Sequence, residues 1–525
     1  MADLAYQASA HGGIQNLFEM MFGDDLYRAH SRRLSLYRRY WQFYLGKHWS
    51  YERDPGEPTT TVNYSKRCLD LHNDFTFKKG FSTVIPDDPG TPEDEKSNRE
   101  FIRLMLEETW RRNNKFLWGL EAGQMGGVTG DCFVRISWET EDPLEDPYAR
   151  ADIIPSHLCF PEFGGPHGVD RKKLTRIAIV TPVFKYPEQL PAAQYRSRSV
   201  GVAAQVTINA EVWTAATYNR DGTIKTPCTV QEYVDGEPSG NPVVSSLGEI
   251  PVVHIPNYPL AGEYFGLSDM IDSVEINREL NEKMTDISDI INYHASPQTI
   301  LYGVKLRDLE KGANRMWAVP ADARVENLEL DSNLEASNKY IELLRKSLFE
   351  LTSTPENILG STTQAISNTT GVALQLQFLP MIAKRDIKVL TYSHGLRLVN
   401  RLMIKITELA DPDFRMKMKG LKGNKYRNNV VFPDPLPHDE LKELEKAIMK
   451  IEAGLSARRL ELANMGKSQK EIEDILKIIA DEQAEDRESE FDWGVSGSGN
   501  NPRSTGGPDG TRGEKITNTT IQKNA

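Results

Sequence analysis

Hydrophobic and acidic positions recur with a helical period across residues 266–296. Apolar side chains fall every three or four residues, at Ile276, Leu280, Met284, Ile287 and Ile291. Carboxylates recur with the same spacing, at Asp269, Asp272, Glu275, Glu279, Glu282, Asp286 and Asp289. Because positions three or four apart share one face of a helix, the segment predicts an amphipathic helix with an acidic side. Ser268 and Asp269 are expected to cap its start, and Pro297 to end it. Taken alone, such a stripe is typical of a solvated face.

A second helix is predicted after a short insert. Ser332 and Glu335 have the spacing of a capping box, and apolar residues follow at Ile341, Leu344, Leu348 and Leu351. Segments 299–301 and 316–319 of the insert have strand character. The pattern therefore predicts two antiparallel helices joined by a small lobe, the first on the order of 40 Å long at about 1.5 Å per residue.

An uncharged, hydroxyl-rich run at 360–371 interrupts the helical pattern. A third helix is then predicted from the apolar series Leu376, Leu379, Ala383, Ile387 and Leu390. Pro380 lies inside this series, and a proline within a helix removes one backbone hydrogen bond. A bend is therefore expected there.

Strand patterns dominate between residues 131 and 255, which predicts an antiparallel sheet and an α+β class. Predicted strands cover 132–138, 177–180, 206–217 and 229–234. Helices are expected at 15–45 and 64–77, and the glycine-rich run at 123–130 is interpreted as a turn. A basic hairpin is predicted from 414–419 and 429–432. Helical segments follow to about 482, and the Gly, Ser, Asn and Thr content rises after 486, as in disordered tails.

Composition narrows the functional classes. The chain has 525 residues, which suggests more than one domain, and a net charge of −12. That charge disfavours broad neutralisation of nucleic-acid phosphates. The four cysteines show no paired spacing, and neither a membrane-spanning run nor a secretory signal is recognised. Synthesis in a reduced intracellular compartment, with no membrane association, is expected.

Catalytic motifs are not found. Gly466-Lys467-Ser468 resembles the end of a phosphate-binding loop, but Glu461 stands where that loop requires glycine. The histidines show no metal-ligand spacing. The sequence predicts no catalytic residues, no metal, no cofactor and no enzymatic activity.

Several short motifs, in a characteristic order over about residues 35–485, resemble the portal proteins of tailed bacteriophages of the long-tailed siphovirus type. Motifs of the N-terminal half include Tyr44-Leu45-Gly46-Lys47-His48-Trp49, Asn63 with Lys66 and Asp70, Gly130-Asp131-Cys132-Phe133-Val134-Arg135, and Ile250-Pro251-Val252-Val253-His254. Those around the helices are Phe265-Gly266-Leu267-Ser268-Asp269, Ala295-Ser296-Pro297 with Gly303, Thr354-Pro355, and Thr370-Gly371-Val372-Ala373-Leu374. Thr370 stands where the family more often has serine.

The resemblance implies a portal-protein fold with a mainly helical wing, antiparallel strands, long stem helices, a small α/β clip and a helical crown. It divides the chain into a wing at 1–265, stem helix 1 at 266–296, a clip at 297–331, stem helix 2 at 332–354, a tunnel loop at 355–370, a wing continuation with bent helix and hairpin at 371–433, a crown at 434–485 and a disordered tail at 486–525.

It also implies a function and partners. Portal proteins form a ring, usually of twelve subunits, at one capsid vertex of the virion, through which double-stranded DNA is packaged and ejected. The expected partners are other copies of the chain, DNA, the terminase motor, the major capsid protein or scaffold, and the head-completion or neck proteins.

Three groups of residues become candidate sites. The DNA-facing tunnel loop would present Ser361, Thr362, Thr363, Gln364, Asn368 and Thr369. The seven carboxylates of the first helix would line the channel. The clip would dock partners through Lys305, Arg307, Glu310 and Lys311.

Two other classes of protein are alternatives to a portal protein for this sequence. One is a virion connector that is not a portal, or a cytosolic helical adaptor, which a small non-ring oligomer would favour. Another is a DNA-translocating ATPase, which nucleotide hydrolysis by the purified protein would favour. The missing nucleotide loop counts against the ATPase.

Overall fold

A computed structural model describes most of the chain between Asp24 and residue 480. The described residues are 24–49, 59–86, 92–140, 146–164, 173–185, 205–219, 221, 223–295, 299–302, 324–327, 334–356, 376–421, 423–435, 447–451, 453–454, 456–464, 472 and 475–480. They belong to two compact units, Met1–Pro435 and Leu436–Ala525.

The helices of the described chain are α1 (Asp24–Tyr44), α2 (Tyr64–Phe77), α3 (Glu93–Arg112), α4 (Lys115–Thr129), α5 (Val274–Ala295), α6 (Leu334–Thr352), α7 (Leu379–Ala410), α8 (Pro412–Lys419) and α9 (Arg458–Asn464). The ranges predicted for α2 and α6 agree closely with these bounds, whereas α5 ends as predicted but begins five residues after the expected cap at Asp269. In α2 the Asn63 side chain accepts a hydrogen bond from the Lys66 amide at 2.9 Å, as an N-cap does.

The strands are β1 (Ser82–Val84), β2 (Asp131–Glu139), β3 (Tyr148–Ile154), β4 (Cys159–Phe163), β5 (Leu174–Lys185), β6 (Gln205–Thr214), β7 (Thr217–Tyr218), β8 (Ile224–Thr226), β9 (Thr229–Val234), β10 (Glu237–Pro238), β11 (Val243–Val244), β12 (Val252–Pro256), β13 (Thr299–Tyr302), β14 (Arg324–Asn327) and β15 (Asn429–Val431).

All paired strands of the described chain run antiparallel. The largest sheet has the order β10-β9-β6-β5-β4, with β11 also pairing with β9, and a second sheet has the order β12-β2-β3. Asp235 and Gly236 both have positive φ in the tight turn between β9 and β10. Helix and antiparallel sheet are thus mixed, which confirms the α+β class.

The largest apolar core lies between sheet β12-β2-β3 and helices α3, α4 and α7. Trp110 and Trp118 pack edge-on at 4.9 Å between ring centroids, and Phe81 meets Trp110 at 5.0 Å. Trp110 donates its indole N–H to Asn400 of α7 at 2.8 Å. Each fully buried large side chain contributes about 1.5–3 kcal/mol, so this core fixes α7 against the sheet.

The glycine-rich run predicted as a turn is instead the last part of α4. A Cβ on Gly123 would lie 1.9 Å from Asn73 Oδ1 of α2, and one on Gly126 would lie 2.1 Å from Tyr392 Oη of α7. The glycines therefore let two neighbouring helices approach the α4 backbone. The turn interpretation is correct only for Gly130, which ends the helix with φ +92°.

The predicted basic hairpin is wrong, because residues 412–419 form helix α8. Asp411 caps α8 by accepting hydrogen bonds from the amides of Asp413 and Phe414, and Pro412 occupies its first turn. β15 pairs with β1, more than 300 residues away in sequence, and not with the 414–419 segment.

The predicted third helix is interrupted close to Pro380, but the interruption lies two residues before the proline, at Phe378. Pro380 lies in the first turn of α7, where its missing N–H costs no helical hydrogen bond. Residues 376 and 377 are helical and Phe378 is a turn, so the helical pattern is interrupted just before α7 begins at Leu379.

The second unit is described in part. Residues 447–451 and 475–480 are helical, as predicted, and Gly454 interrupts the helical pattern with φ +67°. Lys450 pairs with the largely buried Glu461 of α9 at 3.4 Å.

Candidate functional site

The α5–α6 pair is the helical hairpin that the sequence predicts, and the two helices pack against each other. Ile276 of α5 packs with the buried Leu348 and Phe349 of α6 and with Cys68 of α2. The two-stranded sheet β13-β14 lies between the two helices in the chain, and its first strand matches the predicted 299–301. The strand predicted at 316–319 lies outside the described residues.

Five of the predicted carboxylates lie on one face of α5. At 100° per residue, Glu275, Glu279, Glu282, Asp286 and Asp289 fall within one quarter of the helix circumference, opposite the buried Leu280. The face is not purely acidic, because Arg278 pairs with Glu275 at 2.9 Å and Lys283 with Asp286 at 3.0 Å. The side chains of Glu275 and Asp286 remain 61% and 58% exposed.

Asp269 does not belong to that stripe, which corrects the sequence assignment. Residues 269–273 form turns, and α5 begins only at Val274. The Asp269 side chain is 3% exposed and is paired with Lys388 and Lys384 of α7. Asp272 also precedes the helix, although it is exposed.

Ser268 does not cap α5 as expected, because α5 begins only at Val274. Its hydroxyl donates to the carbonyls of Gly127 and Val128, at 3.0 and 2.7 Å, and accepts from the Met270 amide. Ser268 thus ties the lead-in of α5 to the end of α4.

A row of polar side chains along α5 was missed by sequence reasoning. Asn277, Asn281 and Thr285 are one helical turn apart and buried, and they bond the backbone of segment 60–65. The backbone amide of Thr60 donates to the Thr285 hydroxyl at 3.0 Å. The backbone amides of Val62 and Ser65 donate to the side-chain carbonyl oxygens of Asn281 and Asn277, respectively, each at 2.9 Å. The spacing of four was visible in the sequence, but the partner segment more than 200 residues away was not.

His48 completes this row. Its Nδ1 lies 2.6 Å from Asn281 Nδ2, and its Nε2 lies 3.0 Å from the Phe43 carbonyl. Because the amide Nδ2 can only donate, Nδ1 must accept and Nε2 must carry the proton. Burial lowers the pKa of His48, which favours this neutral form.

A buried polar cluster lies at the base of the hairpin. Lys384 Nζ is 3.3 Å from Asp269 Oδ1 and 3.5 Å from the Thr352 carbonyl at the end of α6. His72 Nε2 is 2.9 Å from the same carbonyl and 3.2 Å from Thr354 Oγ1. We call Asp269, Lys384, Lys388, His72 and Thr352 the base cluster.

Charge states in the base cluster follow from the neighbours. Burial alone would raise the pKa of Asp269, but Lys388 and Lys384 outweigh burial and hold that pKa well below its usual range. Burial, reinforced by the same two lysines, lowers the pKa of His72 to about 3. At neutral pH the cluster therefore contains a carboxylate and a neutral imidazole.

Large apolar side chains are exposed on α6 and at the start of α7. On α6, Tyr340, Leu343 and Leu351 are 41%, 58% and 54% exposed, on a flank that begins beside the buried Leu348. Leu379 and Leu390 of α7 are 53% and 73% exposed, whereas Arg385 and Lys388 of the same helix are buried. The apolar stripe that predicted α7 is thus its outer face.

The remaining candidate residues lie outside the described residues. These are the tunnel-loop residues Ser361, Thr362, Thr363, Gln364, Asn368 and Thr369, and the clip residues Lys305, Arg307, Glu310 and Lys311.

Within the described ranges, no group of three or more His, Cys, Asp or Glu side chains is arranged to hold a metal ion. The helices of the same ranges include none that is long and apolar enough to cross a bilayer.

Comparison with known protein families identifies the family to which the chain belongs. Residues 210–485, more than half of the 525, match the family model described as "Phage portal protein, SPP1 Gp6-like". No curated protein matches the chain. The match includes the hairpin, the base cluster residues of α6 and α7, and the exposed apolar face of α7, and the chain belongs to the SPP1 Gp6-like family of phage portal proteins.

Proposed function

We propose that twelve copies of this chain form a ring at one vertex of a phage capsid, and that double-stranded DNA passes through the ring during packaging and ejection. The supporting observation is the exposed apolar face of α7, where Leu379 and Leu390 point outward while Lys388 is buried. Leucines on an outer face indicate that another surface covers them. In a ring, that surface belongs to the next copy.

Two different apolar surfaces on one chain suit a ring. Exposed apolar side chains lie on one flank of α6, beside its exposed charged residues, and on the outer face of α7. Contact between unlike patches of identical subunits closes into a ring when the rotation allows it. A ring of twelve helices, each about 10 Å across, would leave a bore of about 28 Å. A DNA duplex with grooves about 8 Å deep is roughly 20 Å wide and would pass.

Acidic side chains on α5 would line this bore. In this arrangement Asp272, Glu275, Glu279, Glu282, Asp286 and Asp289 face the channel. Like charges repel, so carboxylates would keep the phosphates from binding tightly. A conduit requires that DNA slides, and a basic lining would hold it in place.

The uncharged 360–370 segment would contact the DNA at the narrowest level, through Ser361, Thr362, Thr363, Gln364, Asn368 and Thr369. Hydroxyl and amide groups can form brief hydrogen bonds with phosphate oxygens without the salt-dependent attraction of lysine or arginine. A connector that contacts only neighbouring subunits is the alternative role for this segment.

The clip would dock the terminase motor and the neck proteins through Lys305, Arg307, Glu310 and Lys311, and the wing would contact the capsid protein or scaffold. Reversing the charges of Arg307 and Lys311 should leave rings intact while weakening the capture of motor and neck proteins. Unchanged capture of both partners would remove the docking role from these residues.

Native mass measurement tests the assembly. A ring of twelve 59.3-kDa chains has a mass of about 710 kDa. Only monomer or dimer over a wide concentration range, with no ring even in the presence of the capsid protein, would contradict the proposal.

A further inference from the structure

Lys384 lies between the two ends of the α5–α6 hairpin. Its ammonium group is 3.3 Å from the Asp269 carboxylate, just before α5, and 3.5 Å from the Thr352 carbonyl, at the last residue of α6. The Lys384 and Asp269 side chains are 17% and 3% exposed. A single half-buried cation therefore contacts both the lead-in of α5 and the end of α6.

The contact with α6 complements the polarity of the helix. The last carbonyls of a helix have no partner within it and carry the negative end of the helix dipole. Thr352 presents one of these carbonyls, and both Lys384 and His72 donate to it. Lys388 supplies the second cation to Asp269, so the carboxylate keeps a partner in any variant that alters Lys384 alone.

We propose that Asp269 and Lys384 form a clamp that fixes the base of the hairpin to α7, with Lys384 as the positioning residue. The clamp also holds the two described ends that flank residues 357–375, because Thr352 precedes this segment and Lys384 follows it. In the ring, which is the proposed function on which this consequence rests, the clamp sets the position of the stem helices relative to the wing.

The same helix provides a matched control. Arg401 and Lys405, four residues apart like Lys384 and Lys388, share the carboxylate of Glu249. That pair joins α7 to the segment before β12 and includes no residue of the hairpin. Breaking this pair therefore shows what the loss of an ion pair on α7 does when the hairpin is not involved.

The test is amide hydrogen exchange in the full-length chain, analysed peptide by peptide. Lys384→Met keeps the side-chain length and removes the charge. We expect exchange to rise about tenfold or more in peptides covering 269–276 and 348–354, because opening of the hairpin base then breaks one ion pair to Asp269 where the wild type breaks two, and it no longer breaks the contact with the Thr352 carbonyl. Exchange in β5 and β6 should stay at the wild-type rate. Lys405→Met should leave both hairpin peptides unchanged.

Two further variants keep the test decisive. Lys384→Arg preserves the cation and should restore slow exchange at both helix ends. Thr354→Val removes only a hydroxyl near His72, so it remains informative if Lys384→Met does not fold, and it should raise exchange at 348–354 to a smaller degree.

Unchanged exchange at both helix ends, or an equal rise throughout the first unit, would overturn the clamp. Exchange is measured within each subunit, so failure to form rings would contradict the proposed function and leave this result intact.

Discussion

Two glycines bring distant backbone segments into direct contact at the entrance to α5. A Cβ on Gly130 would lie 2.4 Å from the Gly266 carbonyl oxygen, and a Cβ on Gly266 would lie 2.3 Å from that of Gly130. Both obstacles are backbone atoms, which cannot rotate away. Gly130 in addition has φ +92°, a region that other residues rarely adopt.

Gly130→Ala should lower the free energy of unfolding by about 2–4 kcal/mol, through steric overlap added to backbone strain. Gly46→Ala is the matched control, because Gly46 has φ +86° and no atom lies within 4 Å of the position that an alanine methyl group would take there. It should cost only the strain, about 1–2 kcal/mol. Urea denaturation measures both, and equal losses would show that the contact with Gly266 is not tight.

The sequence indicated that these residues matter, but it did not predict which residues surround them. The Phe265–Asp269 motif predicted the start of the first stem helix, and the structure places Gly266, Ser268 and Asp269 in the non-helical segment before α5 begins at Val274. Asp269 was assigned to the acidic stripe because its spacing fits. The partner that buries it, Lys388, lies 119 residues further on, and no local pattern contains that information.

Among the helices and strands, α7 gives the most direct indication of assembly, because its outer face exposes leucines. Replacing Leu390, which is 73% exposed, with glutamate should leave the subunit folded. It should prevent ring formation, because a charge would be buried at every subunit contact. Leu390→Met, which remains apolar, should assemble normally. Circular dichroism reports folding and native mass reports assembly, and normal rings from Leu390→Glu would place this face outside the interface.

The uncharged segment allows a test of DNA contact. Thr362 and Thr363 changed together to lysine should slow packaging, most strongly at low salt, because each added phosphate contact weakens as salt increases. Rings and motor docking should remain normal. The measurement is the length of DNA packaged against time. Wild-type rates at all ionic strengths, from rings carrying both changes in every subunit, would mean that this segment does not touch DNA.

Local signals predicted the elements better than their boundaries. The 3.6-residue period identified α5 and α6, since each is amphipathic over several turns. The predicted 414–419 strand was wrong although Asp411 and Pro412 form a visible helix start. The glycines of α4 misled for another reason: their small size serves contacts with α2 and α7, which depend on tertiary packing.

Acid sensitivity is a property of the whole molecule that follows from buried histidines. Burial lowers the pKa of His30 and His157 to about 4 and that of His72 to about 3, from 6.5. The unfolded chain therefore binds about three more protons than the folded chain near pH 5. This contribution to stability is complete above pH 6.5 and decreases as pH falls toward 4.

The free energy of unfolding should accordingly fall between pH 7 and 5, with a slope set by about three protons. His157→Gln should reduce that slope by about one proton. Urea denaturation at a series of pH values gives the slope. Constant stability from pH 7 to 5 would contradict the burial of these histidines.

A closed ring with an open channel is tested most directly by electron microscopy of the purified full-length protein. We expect closed rings of about twelve subunits with a central channel near 28 Å, wide enough for a duplex of roughly 20 Å. Particles without a channel, or a channel narrower than the duplex at the level of the stem helices, would contradict it.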